Sequence, residues 1–212
     1  MNTTDDRSSH WHAAQALLAA FALAGALAAW SCARHNQLMT EPGSYPANNP
    51  ADCLPPVTLI DQYGKPVSLA SLKGKPVLID FIYTRCPGPC ETMTLKMTRI
   101  ADELKPQLGS DLRIVSISLD PEYDSPARML AFAKNLGAER KGWLFLTGNL
   151  SQIEQVLKPY RIKRVVQSNG MVDHVLEMFL LGPDGKQVRL YSATTVEPQT
   201  VAGDVRRQLA QG

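Results

Sequence analysis

Val77-Leu-Ile-Asp-Phe-Ile-Tyr83, followed by Thr84-Arg-Cys-Pro-Gly-Pro-Cys90 and then Glu91-Thr-Met-Thr-Leu-Lys-Met-Thr-Arg-Ile-Ala-Asp-Glu-Leu104, decides the fold. The first block is a nearly continuous apolar run, as expected of a central strand buried on both faces. The last block repeats its apolar residues Met93, Met97, Ile100 and Leu104 at helical spacing, and Pro106 ends it. Between them lies a corner with two cysteines, a glycine and two prolines. A strand running through such a corner into a helix is the first half of a βαβ unit, which needs a parallel partner strand and a right-handed crossover.

The partners lie downstream. Leu112–Leu119 alternates as a strand, and Pro126–Leu136 reads as a helix with Pro at its start and Gly137 at its end. Leu144–Leu146 is a short strand. Ser151–Leu157 is a helix with Ser at or near its cap, and Pro159 follows its end. Val172–Leu181 is a further strand, joined through Pro183-Asp184-Gly185 to a hairpin partner at Gln187–Tyr191, and Pro198–Leu209 closes the chain as a helix. Upstream, Val57–Ile60 and Pro66–Leu69 flank the turn Gln62-Tyr63-Gly64-Lys65 and should pair. The result is an α/β domain: a thioredoxin-like mixed sheet flanked by helices, with an extra N-terminal β-hairpin.

The 212 residues suffice for one domain with a substantial core and are too few for two large ones. A net charge of +2 gives no sign of a nucleic-acid partner. Residues 1–33 read as a signal peptide or membrane anchor, because Ala13–Trp30 carries no charge and is rich in Ala and Leu. Ser31-Cys32-Ala33 suits a cleavage after Ala33, and Cys32 is the alternative site of a lipid anchor, which Trp30 fits poorly. Residues 34–53 form a Pro-rich linker, and the domain runs over 54–212. The domain is therefore expected on the periplasmic or other extracytoplasmic face of a membrane.

Four cysteines are too few for a disulfide scaffold, so their placement carries the information. Cys86 and Cys90 sit at the strand-to-helix corner, where the helix N-terminus favours thiolates. Thiolates there serve soft-metal binding or disulfide exchange. Asp80, mid-strand and six positions before Cys86, is costly to bury without a partner and marks a candidate proton-handling residue. A hydrogen-bonded structural acid is its other reading. Cys53 is either a free thiol on the linker or half of a disulfide.

The segments FIYTRCPGPCETM, LIDQYGKPVSLASLKGKPVLIDF, VSISLDPEYDSPARMLAFAKNLG and VDHVLEMFLLGPDGK resemble the Sco/SenC family over about Leu59–Lys186. The resemblance implies that Cys86 and Cys90 supply thiolates, and His174 an imidazole, to one copper ion. Two thiolates suit Cu(I), and an added imidazole lets such a site hold Cu(II). His174 is the only histidine of the domain, since His10, His12 and His35 lie in the leader or linker. Asp173 and Asp120 are candidates to support the ligands, Asp120 alternatively being a turn residue before Pro121. The implied role is that of a metallochaperone, delivering copper to the copper A centre of cytochrome c oxidase. The alternative is a thiol:disulfide oxidoreductase that reduces the acceptor's cysteines, with Cys86 attacking, Cys90 resolving and Asp80 managing the proton.

Glu91 stands where the family commonly has proline, and Asp80 where its strands are usually apolar. The cis-proline that faces the cysteine pair in disulfide reductases of this fold is missing around Gly170–Val175, which favours metal binding. A peroxidase is disfavoured because there is no Pro-x-x-x-Thr-x-x-Cys run.

Overall fold

All six residues of the strand Val77–Ile82 are buried. A strand without a solvent face must lie inside a sheet covered on both sides, and the computed structural model, which describes residues 42–47, 51–173 and 176–211, puts it there. The elements are β1 (Ser44–Pro46), β2 (Thr58–Ile60), β3 (Pro66–Ser68), β4 (Val77–Ile82), α1 (Pro89–Glu103), β5 (Arg113–Ser118), α2 (Pro126–Asn135), β6 (Trp143–Leu146), α3 (Leu150–Tyr160), β7 (Val165–Val166), β8 (Val172–Asp173), β9 (Glu177–Leu181), β10 (Gln187–Ser192) and α4 (Pro198–Leu209). A 3₁₀ turn at Leu69–Leu72 follows β3.

The main sheet has the order β1-β10-β9-β4-β5-β6. β4, β5 and β6 are parallel, joined by helical crossovers, while β9 and β10 return antiparallel. This is the expected mixed α/β sheet, and the hairpin β2–β3 stands beside it as a separate pair. Residues on β4 alternate between faces. Phe81 meets Tyr160 of α3 and Phe179 of β9 edge-on, with centroids 4.9 and 6.0 Å away. Its neighbour Asp80 therefore belongs to the opposite face.

The structure differs from the sequence reading in four places. Ser44–Pro46, inside the segment expected as linker, pairs with β10 as an edge strand, a position that tolerates Pro46. α3 starts one residue earlier than expected, with a capping box between Asn149 and Gln152, and runs on past Leu157 to Tyr160, so that it contains Pro159 in its last turn. A proline so close to a helix end removes little of the hydrogen-bond ladder, and the helix stops instead at Arg161, whose φ is 57°. The expected strand Val172–Leu181 is two strands in different sheets: β8 pairs with β7, and β9 with β4 and β10. β7 itself was not anticipated, because two exposed valines followed by Gln-Ser-Asn-Gly read as loop.

Candidate metal and thiol site

β4 delivers the chain to the C-terminal edge of the parallel strands, the edge where ligands of open α/β sheets collect. The corner is tight. The Cys86 N–H donates to the Tyr83 carbonyl at 3.2 Å, and the Gly88 N–H to the Cys86 carbonyl at 2.9 Å. Gly88 has φ 111°, a conformation that side-chain-bearing residues rarely adopt. Pro89 then opens α1, and its missing N–H costs nothing in a first turn. Cys90 lies in that same turn, fully buried, whereas Cys86 keeps 8% of its surface exposed.

Neither cysteine is in a disulfide. The Cys90 backbone N–H donates to Cys86 Sγ at 3.4 Å. Hydrogen bonding from the Cys90 thiol, from this N–H and from the Tyr83 hydroxyl brings the Cys86 pKa down to about 6 against the opposing effect of burial. Cys90 is driven the other way, first by its hydrogen bond to Cys86 and then by burial, with the field of Asp80 adding to it. At neutral pH the pair therefore holds one proton, on Cys90, and presents Cys86 as the thiolate.

Arg85 and Asp120 flank this pair. Arg85 Nε donates to Asp120 Oδ2 at 2.6 Å, and the Asp120 side chain is almost wholly buried. Asp120 is thus more than a turn residue: it anchors the side chain next to Cys86. The Arg85 guanidinium also lies over the Tyr123 ring, 4.9 Å from its centroid, and Arg128 lies over the same ring at 4.0 Å. The turn between β7 and β8 comes down on Arg85, since a Cβ on Gly170 would sit 3.3 Å from Nη1. Val172 on β8 is buried, and its backbone hydrogen-bonds the Tyr83 hydroxyl. The chain leading into residue 174 is thereby packed against the cysteine corner.

His174 itself lies outside the described residues. Asp173 is exposed and accepts from Gln167 Nε2 at 2.7 Å, so its contact is with its own hairpin. Among the described residues no three His, Cys, Asp or Glu side chains cluster as a metal set. Cys86 and Cys90 are brought together, and among the described residues no third His, Cys, Asp or Glu joins them.

Asp80 is fully buried on β4, and neither carboxylate oxygen has a hydrogen-bond partner of ordinary geometry. Ser116, directly across on β5, accepts the Trp143 indole N–H at 3.0 Å and relieves Asp80 only in part. Burial lifts the Asp80 pKa to about 7.

Cys53 is a correction. It is wholly buried in the core instead of lying on a linker, and it is a free thiol whose pKa burial raises to about 11. The Tyr160 hydroxyl donates to its carbonyl at 2.7 Å, so this stretch is fastened to α3. Cys32 lies outside the described residues. One residue was missed altogether. Asp124, fully buried, accepts from the Thr84 N–H at 3.2 Å, the Thr84 hydroxyl at 2.5 Å and the Ser118 hydroxyl at 2.6 Å. Asp124 lies just before the N-cap Ser125 of α2, and only the fold brings Thr84 to it.

Comparison with known proteins agrees with this architecture. A family profile described as SCO1/SenC matches residues 46–210. The chain is 36% identical to the SCO1 protein homolog of Bacillus subtilis over 187 residues, which is 86% of this chain and 93% of that one. It is 30% identical to the human mitochondrial SCO1 homolog over 137 residues, 62% of this chain and 44% of the longer human protein. Among solved structures, BsSco, described as a member of the Sco family of cytochrome c oxidase assembly proteins with a disulfide switch, superposes with a TM-score of 0.67 at 37% identity, covering 79% of this chain and 97% of that one. Arabidopsis thaliana ScoI with copper bound gives 0.65 at 28% identity, covering 74% and 98%. With its thioredoxin-like sheet, its cysteine pair at the β4–α1 corner and this match over most of its length, the chain belongs to the SCO1/SenC family.

Proposed function

We propose that this protein is a copper-binding metallochaperone that carries one copper ion on Cys86, Cys90 and His174 and delivers it to the copper A centre of cytochrome c oxidase. The observation that carries the reading is the paired corner itself: two sulfurs on one short loop, outside any disulfide, with the Cys90 thiol, and the Cys90 N–H donating to Cys86 Sγ, lowering the Cys86 pKa. Such donors fit Cu(I), a soft ion that prefers thiolates. Relatives support the choice of metal, since the Arabidopsis protein and Bradyrhizobium japonicum ScoI, 32% identical, hold copper in their structures. The packing of Gly170 and Val172 against Arg85 and Tyr83 brings the chain before His174 to the same edge.

Copper is the cargo. Cys86 binds as the thiolate it already is, Cys90 must release its proton, and the imidazole completes the set. Release to an acceptor proceeds by ligand exchange at Cys86, the only one of the two sulfurs with solvent access. The apolar N-terminal segment supports a location of the domain on the extracytoplasmic side of a membrane, tethered or after cleavage. No helix among the described residues is long and apolar enough to cross one. The test is anaerobic mixing of the Cu(I)-loaded protein with an apo copper A domain of cytochrome c oxidase. The copper A absorption should develop after the metal is transferred and the acceptor is oxidised. Retention of all copper on the donor would refute delivery.

Asp80 favours a second reading, thiol:disulfide exchange on the acceptor's cysteines. A buried carboxyl only weakly relieved by Ser116, poised near neutrality and acting through its field on Cys90, is suited to take the Cys90 proton as that sulfur attacks a mixed disulfide on Cys86. Both cysteines then end in one disulfide, and two electrons pass to the acceptor as its thiols are released. Slower exchange in Asp80→Asn supports this reading, and an unchanged rate removes Asp80 from it.

A further inference from the structure

Two residues before Cys86, the chain is held by a carboxylate that belongs to a different loop. Asp124 accepts the Thr84 N–H at 3.2 Å and the Thr84 hydroxyl at 2.5 Å. The same carboxylate accepts the Ser118 hydroxyl at 2.6 Å. Ser118 Oγ in turn accepts the Asp120 N–H at 3.0 Å, and Asp120 holds Arg85. One buried side chain thus ties the end of β4 to the end of β5 and sets, through short bonds, both neighbours of Cys86: Thr84 on the chain and Asp120 beneath Arg85.

We infer that Asp124 is a positioning residue for the Cys86–Cys90 pair, acting through Thr84. The bonds are directional and buried, and all three groups it meets are donors in this arrangement. A carboxylate satisfies them together, since it accepts on both oxygens and donates nothing. An amide at 124 would turn one N–H₂ toward a donor, leaving a buried clash or an unpaired group. The corner has little slack elsewhere, because Pro87, Gly88 and Pro89 confine the backbone and Pro89 enters the helix directly. A displacement at Thr84 is therefore passed on to Cys86 Sγ and its 3.4 Å contact with the Cys90 N–H.

The inference rests on the proposal that these two sulfurs act as a pair, and its test works without copper. The dithiol–disulfide equilibrium of Cys86 and Cys90 in the metal-free full chain, measured in glutathione buffers, reads how well the sulfurs are placed for each other. Thr84→Val keeps the branched side chain but loses the hydroxyl, Thr84→Ser keeps it, and Asp124→Asn alters the hub. Thr84→Val and Asp124→Asn should each shift this equilibrium about tenfold, or ~30 mV for a two-electron couple. Thr84→Ser should match the parent, and the double variant Thr84→Val/Asp124→Asn should be no worse than Asp124→Asn alone. Parental equilibrium in Thr84→Val, a Thr84→Ser as impaired as Thr84→Val, or full additivity in the double variant would each overturn the inference. Failure of the parent to bind copper would refute the copper reading and leave this measurement standing.

Discussion

Cys86 and Cys90 divide one proton unequally, and the 3.4 Å contact from the Cys90 N–H to Cys86 Sγ is the visible part of the cause. The exposed sulfur becomes the stronger acid and the buried one the weaker. A metal carrier and a disulfide exchanger both need this asymmetry, because a reactive outer thiolate starts either exchange and a protonated inner thiol holds it in reserve.

Alkylation of the reduced protein by iodoacetamide should modify Cys86 first. Its thiolate persists above the folded pKa, so the rate should fall as pH drops through about 6. In Cys90→Ala the leading cause of the depression is gone and the midpoint should rise toward the ordinary thiol range of roughly 8.5. Mass spectrometry of the labelled peptide checks both. An unmoved midpoint would mean that Cys90 does not acidify Cys86.

Asp80 should make stability depend on pH. Its folded pKa, about 7, lies above the 3.8 of an ordinary aspartate, so the folded state binds the extra proton. Its contribution is complete below about pH 4 and is lost as pH rises toward 7. Asp80→Val should therefore stabilise the protein at pH 8 relative to its effect at pH 4, by an upper limit of about 4 kcal/mol. Urea unfolding at the two pH values measures the difference, and equal effects at both would show that the carboxyl is not held in the way described.

Gly88 has open space around an added Cβ, yet its φ of 111° is unfavourable for any other L-residue. Gly88→Ala should cost about 1–3 kcal/mol through backbone strain alone, or relax the corner and weaken copper binding. Thermal unfolding and copper titration together check this, and a variant unchanged in both would show that the left-handed turn is dispensable.

Breaking the Arg85–Asp120 pair should matter little for stability. Arg85 is 41% exposed on its side chain, and solvent screening weakens such a pair. Asp120→Ala should nevertheless cost more than Arg85→Ala, because Asp120 is buried and its loss leaves the guanidinium without its anchor. Melting temperatures of the two variants give the comparison; the reverse order would show that Arg85 stabilises mainly by covering Tyr123.

Much of the sheet was legible because its strands are long, apolar and separated by helices that begin with Pro126 and Pro198. The cysteine corner was legible because prolines and glycine at a strand–helix junction have few other uses. What escaped was decided by tertiary contacts. β1 and β7 are two or three residues long and carry no periodicity. Cys53 looked like linker because prolines surround it, whereas its neighbours fold back under α3. Asp124 acquires its role only because the fold brings Thr84 to it.

The most direct test of the central claim is Cu(I) binding to the reduced full chain, measured by competition with a chromogenic chelator for the parent and for Cys86→Ser, Cys90→Ser, His174→Ala and Cys53→Ser. One copper per chain in the parent, a loss of at least tenfold in affinity in each of the first three variants and none in Cys53→Ser is the expected result. Parental affinity in Cys86→Ser or Cys90→Ser would contradict the assignment of the site to this corner, and parental affinity in His174→Ala would contradict its third ligand.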